Sequence, residues 1–208
     1  LDRSRLILNA SHNHSGPVTN DVLPLYFDLP KREYETIDRY TAWLLDRVVE
    51  VIGSALKDLA PANLAFGQGL AGIAVNRRRA RAGGRSLPTV VDQDVPVLTV
   101  RAPKGELRAV VFGYSCHTTC VNDGTLNGDY AGFAQHELEA MHPGVTALFV
   151  QGCGGDTNPL PRHRPGLGEA YGRILAVADY SLRFKQGYGW DNTWVTGYND
   201  DYWCYIPS

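Results

Sequence analysis

Three histidines of this chain have residue types and spacing suited to metal chemistry. His12 and His14 form a His-x-His pair that leads into Ser15-Gly16-Pro17, and His117 directly follows an apolar run. Because side chains alternate along an extended segment, His12 and His14 are expected on the same side, sharing one metal or one metal and its substrate. The alternative is a loop with two surface histidines and a structural His117; the pattern as a whole favours a metal site.

A glycine-rich segment offers a second kind of chemistry. Gly152–Asn158 follows an apolar run and begins with the glycines of Gly152-Cys153-Gly154-Gly155. Successive glycines let backbone N–H groups converge on an anion, so this segment is expected to form an anion nest or oxyanion hole. A tight turn leading into Pro159 is the alternative. The sequence contains no G-x-S-x-G elbow, no H-E-x-x-H helix and no phosphate-binding glycine loop.

The residues around His117 supply sulfur and polar groups. Cys116 and Cys120 flank His117, but this is not a zinc-ribbon spacing, and the four cysteines are expected to be small buried residues rather than ligands. Tyr205, taken on spacing alone, is expected in an aromatic core strand. Four groups in the loop after His117 could orient its second ring nitrogen: Asn122, Asp123, Asn127 and Asp129.

The elements that must position these residues alternate between strands and helices. This order predicts an α/β fold, with mixed β-sheet layers flanked by helices. The predicted elements are a strand at Leu6–Leu8, an amphipathic helix over Tyr34–Leu56, strands at Leu64–Phe66, Val95–Val100 and Ala109–Tyr114, a helix capped by Asp129, a strand at Val145–Val150, a helix over Gly168–Phe184 and a strand at Trp194–Thr196.

In such folds the polar residues just past the carboxyl ends of strands line the ligand crevice. Three segments occupy such positions in the predicted order: residues 11–14, 115–117 and 152–159. We therefore expect them to meet.

Composition narrows the classes of function. The chain has 208 residues, of which 44% are hydrophobic and 20% charged, with a formal net charge of -2, as in an ordinary globular domain. This balance gives no reason to expect a nucleic-acid partner. No apolar run approaches the roughly 20 residues of a membrane span. The chain opens on Leu1 and Asp2 without a visible signal peptide, which leaves secretion open.

Several segments, spread over nearly the whole chain and in the same order, resemble motifs of the neutral/alkaline, non-lysosomal ceramidases. The likeness is closest to the bacterial ceramidase-like branch. The matching segments are Ser11–Pro17, Asn76-Arg77, His117–Thr119, Asn127–Ala134, Leu148–Pro159 and Asn199–Pro207.

The resemblance implies the fold of that family's N-terminal catalytic domain and a single zinc held by two histidines, a glutamate and a tyrosine. His12 and His117 match the histidine ligands, and Tyr205 matches the tyrosine ligand. His14 matches a histidine that contacts the substrate carbonyl or the developing oxyanion, and Arg77 matches an arginine of the same pocket. The implied reaction is cleavage of the amide bond of a ceramide-like N-acyl lipid by metal-activated water.

Two departures from the family pattern bear on activity. Asn158 stands where the family has an active-site serine, so a covalent serine route is excluded, although an amide can still donate a hydrogen bond to substrate. The family's glutamate ligand has no counterpart, because Leu175–Ala178 occupies that place and Glu169 does not match the motif. We expect a single, partial catalytic domain over residues 1–208, from which an N-terminal part and an internal segment near residues 170–179 are missing.

The resemblance also implies a small-molecule N-acyl lipid as the substrate, access to it at a membrane surface, and a secreted or periplasmic location. Two other functions stay open. One is a non-catalytic homologue that binds a ligand, and the other is a metal-dependent esterase on the same scaffold.

Overall fold

The computed structural model describes residues 2–20, 28–77 and 90–176 of the chain. The chain divides into two compact units, one formed by Gly16–Pro61 and the other by Leu1–Ser15 with Ala62–Ser208. Tyr205, the strand expected at Trp194–Thr196 and the end of the predicted last helix lie outside the described residues. None of the helices that are described has both the length and the apolar character needed to cross a membrane.

The smaller unit is built around one long helix, α1, Lys31–Lys57. Pro30 precedes it, where its fixed φ and missing N–H are tolerated, and the N–H of Asp58 donates to the carbonyls of Ser54 and Ala55 at its end. The three- and four-residue spacing of apolar side chains had predicted a helix over Tyr34–Leu56, which is confirmed. No residue of α1 is buried.

The larger unit contains a mixed sheet. Its elements are β1 (Asn63–Leu70), β2 (Ala74–Asn76), β3 (Asp94–Arg101), β4 (Leu107–Tyr114), α2 (Asp129–Met141), β5 (Thr146–Gln151) and β6 (Thr157–Pro159), followed by helical residues 167–176. Four strands form one sheet in the order β1-β3-β4-β5, while β2 and β6 form a separate antiparallel pair. The β4–β5 pair is parallel and the other pairs of the larger sheet are antiparallel. The predicted α/β class with a mixed sheet is confirmed.

The core of this unit lies between the sheet and α2. Val97, Val110 and Phe112 alternate with less buried neighbours along β3 and β4, as expected for strands with one covered face. From α2, the ring of Tyr130 packs edge-on at 6.1 Å from that of Phe149 in β5. Burying each such side chain contributes about 1.5–3 kcal/mol.

The parallel β4–β5 pair determines where the candidate site forms. Parallel strands end at the same edge of a sheet, so the loops after Tyr114 and after Gln151 are neighbours. The N–H of Gly152 donates to the carbonyl of Tyr114 at 3.0 Å, which ties the two loops together at their start. Segments 115–117 and 152–159 therefore meet as predicted.

The prediction of a strand at Leu6–Leu8 is wrong. Residues 6–10 adopt no regular secondary structure, and Ile7 is 88% exposed. A strand forms only where a second strand supplies backbone partners, and a run of three apolar residues is too short to specify one.

Candidate metal centre

The segment that carries His12 and His14 is a turn rather than an extended strand. His12 has φ 53, in the left-handed region that few non-glycine residues occupy. Asn13 holds the turn, because its Oδ1 accepts from the N–H of Ser15 at 2.7 Å and its Nδ2 donates to the carbonyl of Asn127. The two imidazoles do lie together, but the alternation argument that predicted this was wrong, and the turn at Asn13 is the cause.

Long-range hydrogen bonds attach this segment to the edge of the sheet. The side chain of Asn9 donates to the carbonyl of Gln151 at 3.2 Å and accepts from its N–H at 2.8 Å. The hydroxyl of Thr118 donates to the carbonyl of Ser11 at 2.8 Å. The segment thus crosses the carboxyl end of β5 and reaches the residue after His117.

The ring of His117 is buried and its orientation is set by backbone carbonyls. Its Nδ1 lies 2.7 Å from the carbonyl oxygen of Gly154 and 2.9 Å from that of Thr157. Carbonyl oxygens only accept hydrogen bonds, so Nδ1 must carry the proton, and the neutral ring then has its lone pair on Nε2. His117 therefore has Nε2 available as a ligand atom.

The polar residues expected to orient His117 do not do so, which corrects that prediction. Asp129 is fully buried, and its carboxylate accepts from the backbone N–H groups of Cys120, Val121 and Tyr130 at 3.1, 2.9 and 2.7 Å. The carboxylate therefore stabilises the backbone of the loop after His117 and does not contact the His117 ring nitrogen. Asp129 is also the first residue of α2, and the capping position belongs to Gly128 rather than to Asp129.

The three imidazoles converge on one point. The ring centroid of His12 lies 4.6 Å from that of His117 and 5.0 Å from that of His14. One nitrogen from each ring lies within 4.8 Å of the other two. The Nε2 atoms of His12 and His14 are 3.2 Å apart, so the rings of this pair face the same point as His117. The donor set therefore fits a transition metal.

The electrostatics of the cluster favour neutral rings at His14 and His117. Burial lowers the pKa of His14, and the neighbouring charges of His12, His117 and Arg77 lower it further. Burial is also the main cause that lowers the pKa of His117. Neutral imidazole is the form that ligates metals, so the ligating state persists to lower pH than for a free histidine.

The neutral ceramidase from Pseudomonas aeruginosa is similar in structure over 67% of this chain, with a TM-score of 0.58 and 21% sequence identity. A ceramidase complexed with C2 is similar over 61% of the chain, with a TM-score of 0.53 and 20% identity. The chain has a ceramidase-like fold.

The chain spans only about a quarter of those two proteins, 25% of the first and 23% of the second. No protein-family model and no curated protein sequence matches it.

Within the ceramidase-like fold, Arg77 lies beside the histidines. Its guanidinium donates to the carbonyl of Gly155 at 2.8 Å, and its backbone N–H donates to the carbonyl of Asp156 at 2.8 Å. Its charge reaches His14 and His117, since it contributes to lowering the pKa of both. The structure thus brings Arg77 next to the cluster.

Asn158 is buried in β6, where it pairs with Val75 of β2. Its Oδ1 is buried and has no hydrogen-bond partner among the described residues. Asn158 directly follows Thr157, whose carbonyl holds His117.

The glycine-rich loop contacts the site through carbonyls instead of N–H groups. The N–H groups of Gly152, Gly154 and Thr157 donate to the carbonyls of Tyr114, Gly152 and Gly154, so the anion nest predicted for this loop lacks three of its donors. Gly154 serves close packing, because a Cβ there would lie 2.8 Å from the backbone nitrogen of Cys116. The carbonyls of Gly154 and Thr157 were missed in sequence because every residue has one.

The three cysteines among the described residues are not part of the histidine cluster. Cys116 and Cys120 are buried and reduced, as predicted, and burial raises the pKa of the Cys116 thiol to about 12. Cys153 is exposed, which corrects the expectation that all cysteines are buried. Cys204 lies outside the described residues.

Proposed function

We propose that this chain carries part of a zinc-dependent hydrolase site that cleaves the amide bond of a ceramide-like N-acyl lipid. The proposal rests mainly on three imidazole nitrogens that lie within 4.8 Å of one another. They meet beside the carboxyl ends of β4 and β5 in a ceramidase-like fold. His12 and His117 hold the metal in this proposal, together with Tyr205.

Each residue of the site has a distinct task. When bound, zinc supplies Lewis-acid polarisation of the amide carbonyl and activation of water. His117 presents its Nε2 lone pair because Nδ1–H is engaged by two carbonyls. His14, kept neutral by burial and neighbouring charge, donates its ring N–H to the substrate carbonyl oxygen where negative charge develops. Arg77 adds fixed positive charge to the same pocket.

Asn158 restricts the chemistry. An amide side chain is not a nucleophile, so attack on the substrate carbonyl comes from water rather than from this position. The buried Oδ1 of Asn158 has no partner among the described residues, which leaves one acceptor position of this side chain unfilled.

Metal content and product release test the proposal. The purified full-length protein should hold about one zinc per chain, by elemental analysis, and release fatty acid from an N-acyl sphingoid substrate. His12→Ala and His117→Ala should each lose the zinc and the activity. His136→Ala, on the exposed surface of α2 and outside the cluster, is the control and should keep both. Wild-type zinc content in either ligand variant would refute the assignment.

A non-catalytic binding protein is the second candidate, favoured by Asn158 and by the lack of a glutamate at the motif position. That protein would bind zinc and an N-acyl lipid yet hydrolyse neither amides nor esters. Release of fatty acid from esters alone would instead indicate an esterase. A secreted or periplasmic location, with lipid taken from a membrane surface, completes the proposal.

A further inference from the structure

Thr157 supplies one of the two carbonyls that contact the ring of His117 and is hydrogen-bonded to the other. Its own carbonyl accepts from Nδ1 of His117 at 2.9 Å and from the backbone N–H of His117 at 3.2 Å. Its backbone N–H donates to the carbonyl of Gly154 at 3.1 Å, the other acceptor of Nδ1. One residue therefore determines the position of every hydrogen-bond acceptor on this side of the ring.

The hydroxyl of Thr157 connects this arrangement to the end of β4. Its Oγ1 donates to the carbonyl of Ser115 at 2.7 Å and lies 3.2 Å from the carbonyl oxygen of Gly154. Thr157 is 3% exposed, so water cannot replace these bonds. Pairing of Thr157 with Asn76 fixes its backbone, and the hydroxyl links it to Ser115, two residues before His117.

We propose that Thr157 is a positioning residue whose hydroxyl keeps His117 in the Nδ1–H tautomer, with Nε2 free to bind a metal. Without the hydroxyl, the 152–157 loop can separate from Ser115, and the two carbonyls no longer face Nδ1 together. The proton can then occupy either ring nitrogen. The consequence for zinc affinity rests on the function proposed above, whereas the tautomer does not.

Two measurements on the full chain test this inference. Long-range proton–nitrogen correlation spectra of metal-free, ¹⁵N-histidine-labelled protein show which ring nitrogen carries the proton, and His117→Gln identifies the signals. Zinc affinity comes from competition with a chelator. Thr157→Val should populate the Nε2–H tautomer and weaken zinc binding by about 10- to 100-fold. Thr157→Ser, which keeps the hydroxyl, should retain the tautomer and stay within about threefold of the wild-type affinity.

The outcomes separate this inference from the proposed function. A Thr157→Val protein with unchanged tautomer overturns the inference, whether or not its zinc affinity falls, and so does a wild-type His117 protonated on Nε2. A tautomer shift in a chain that binds no zinc supports the inference and refutes the proposed metal site. If Thr157→Val does not fold, Thr157→Ala removes the same hydroxyl and carries the same expectations.

Discussion

Substitutions of the buried Asp129 test whether its carboxylate holds the loop that follows His117. It accepts three backbone N–H groups, with Cys120 and Tyr130 sharing Oδ1 and Val121 donating to Oδ2. Asp129→Asn can keep the shared oxygen but turns an NH₂ group toward the N–H of Val121. The variant loses one charge-assisted hydrogen bond and places two donors, the new NH₂ group and the N–H of Val121, opposite each other. These two changes should lower the free energy of unfolding by about 2–3 kcal/mol.

Asp129→Ala should be more damaging than Asp129→Asn. It leaves the buried N–H groups of Cys120 and Tyr130 and the half-buried N–H of Val121 without partners, and it places alanine at φ 52, a conformation that asparagine tolerates better. The loss should reach at least about 4 kcal/mol. For a chain of this size, each kcal/mol shifts Tm by about 2–4 °C, so Asp129→Asn should melt about 5–10 °C below the wild type.

Urea unfolding of the metal-free protein, followed by circular dichroism, measures these differences. Glu106→Gln, which neutralises an exposed carboxylate, is the matched control and should change stability by less than about 0.5 kcal/mol. Asp129→Asn indistinguishable from this control, or Asp129→Ala milder than Asp129→Asn, would refute the hydrogen-bond argument.

Further predictions concern the imidazoles and thiols. His14→Ala should keep its zinc but lose amide turnover by about 100-fold, because the proposed role of this ring is to donate to the substrate carbonyl; loss of zinc equal to that of His12→Ala would make His14 a ligand. Iodoacetamide at about pH 8 should label Cys153, which is exposed, and spare Cys116, whose pKa burial raises to about 12; peptide mass spectrometry showing equal rates would contradict this. The free energy of unfolding should fall as pH rises from about 9 toward 12, because the Cys116 thiol, with an ordinary pKa of 9.0, ionises in the unfolded chain before it does in the fold. Cys116→Ala should reduce this slope by up to about 1.4 kcal/mol per pH unit, while Cys120, whose thiol pKa burial also raises, keeps part of the dependence; an unchanged slope would exclude Cys116 as a source.

The elements that sequence predicted well are those specified locally. α1 has its apolar side chains at helical spacing, and β3 and β4 are apolar runs around a turn in which Gly105 has φ 102. The meeting of His117 with the 152–157 segment was also predictable, because polar residues at the carboxyl ends of strands gather at one edge of the sheet.

The features that could not be predicted from the sequence depend on residues far away along the chain or on backbone groups that every residue has. The turn at His12 is held by Asn127, more than a hundred residues away, and nothing local distinguishes it from the end of a strand. The acceptors for His117 are backbone carbonyls, which leave no mark on residue type. Strands β2 and β6 have three residues each, too few to show a periodicity.

Because the histidines are attached to the fold in different ways, the site can be lost without a loss of fold stability. His117 lies in the loop that directly follows β4, whereas His12 and His14 lie on an irregular segment that belongs to neither sheet and is attached by a few side-chain hydrogen bonds such as those of Asn9 and Asn13. A substitution at either asparagine can therefore release two imidazoles while strands and core melt at an unchanged temperature. Screening variants of this chain by thermal shift alone would classify such a protein as intact.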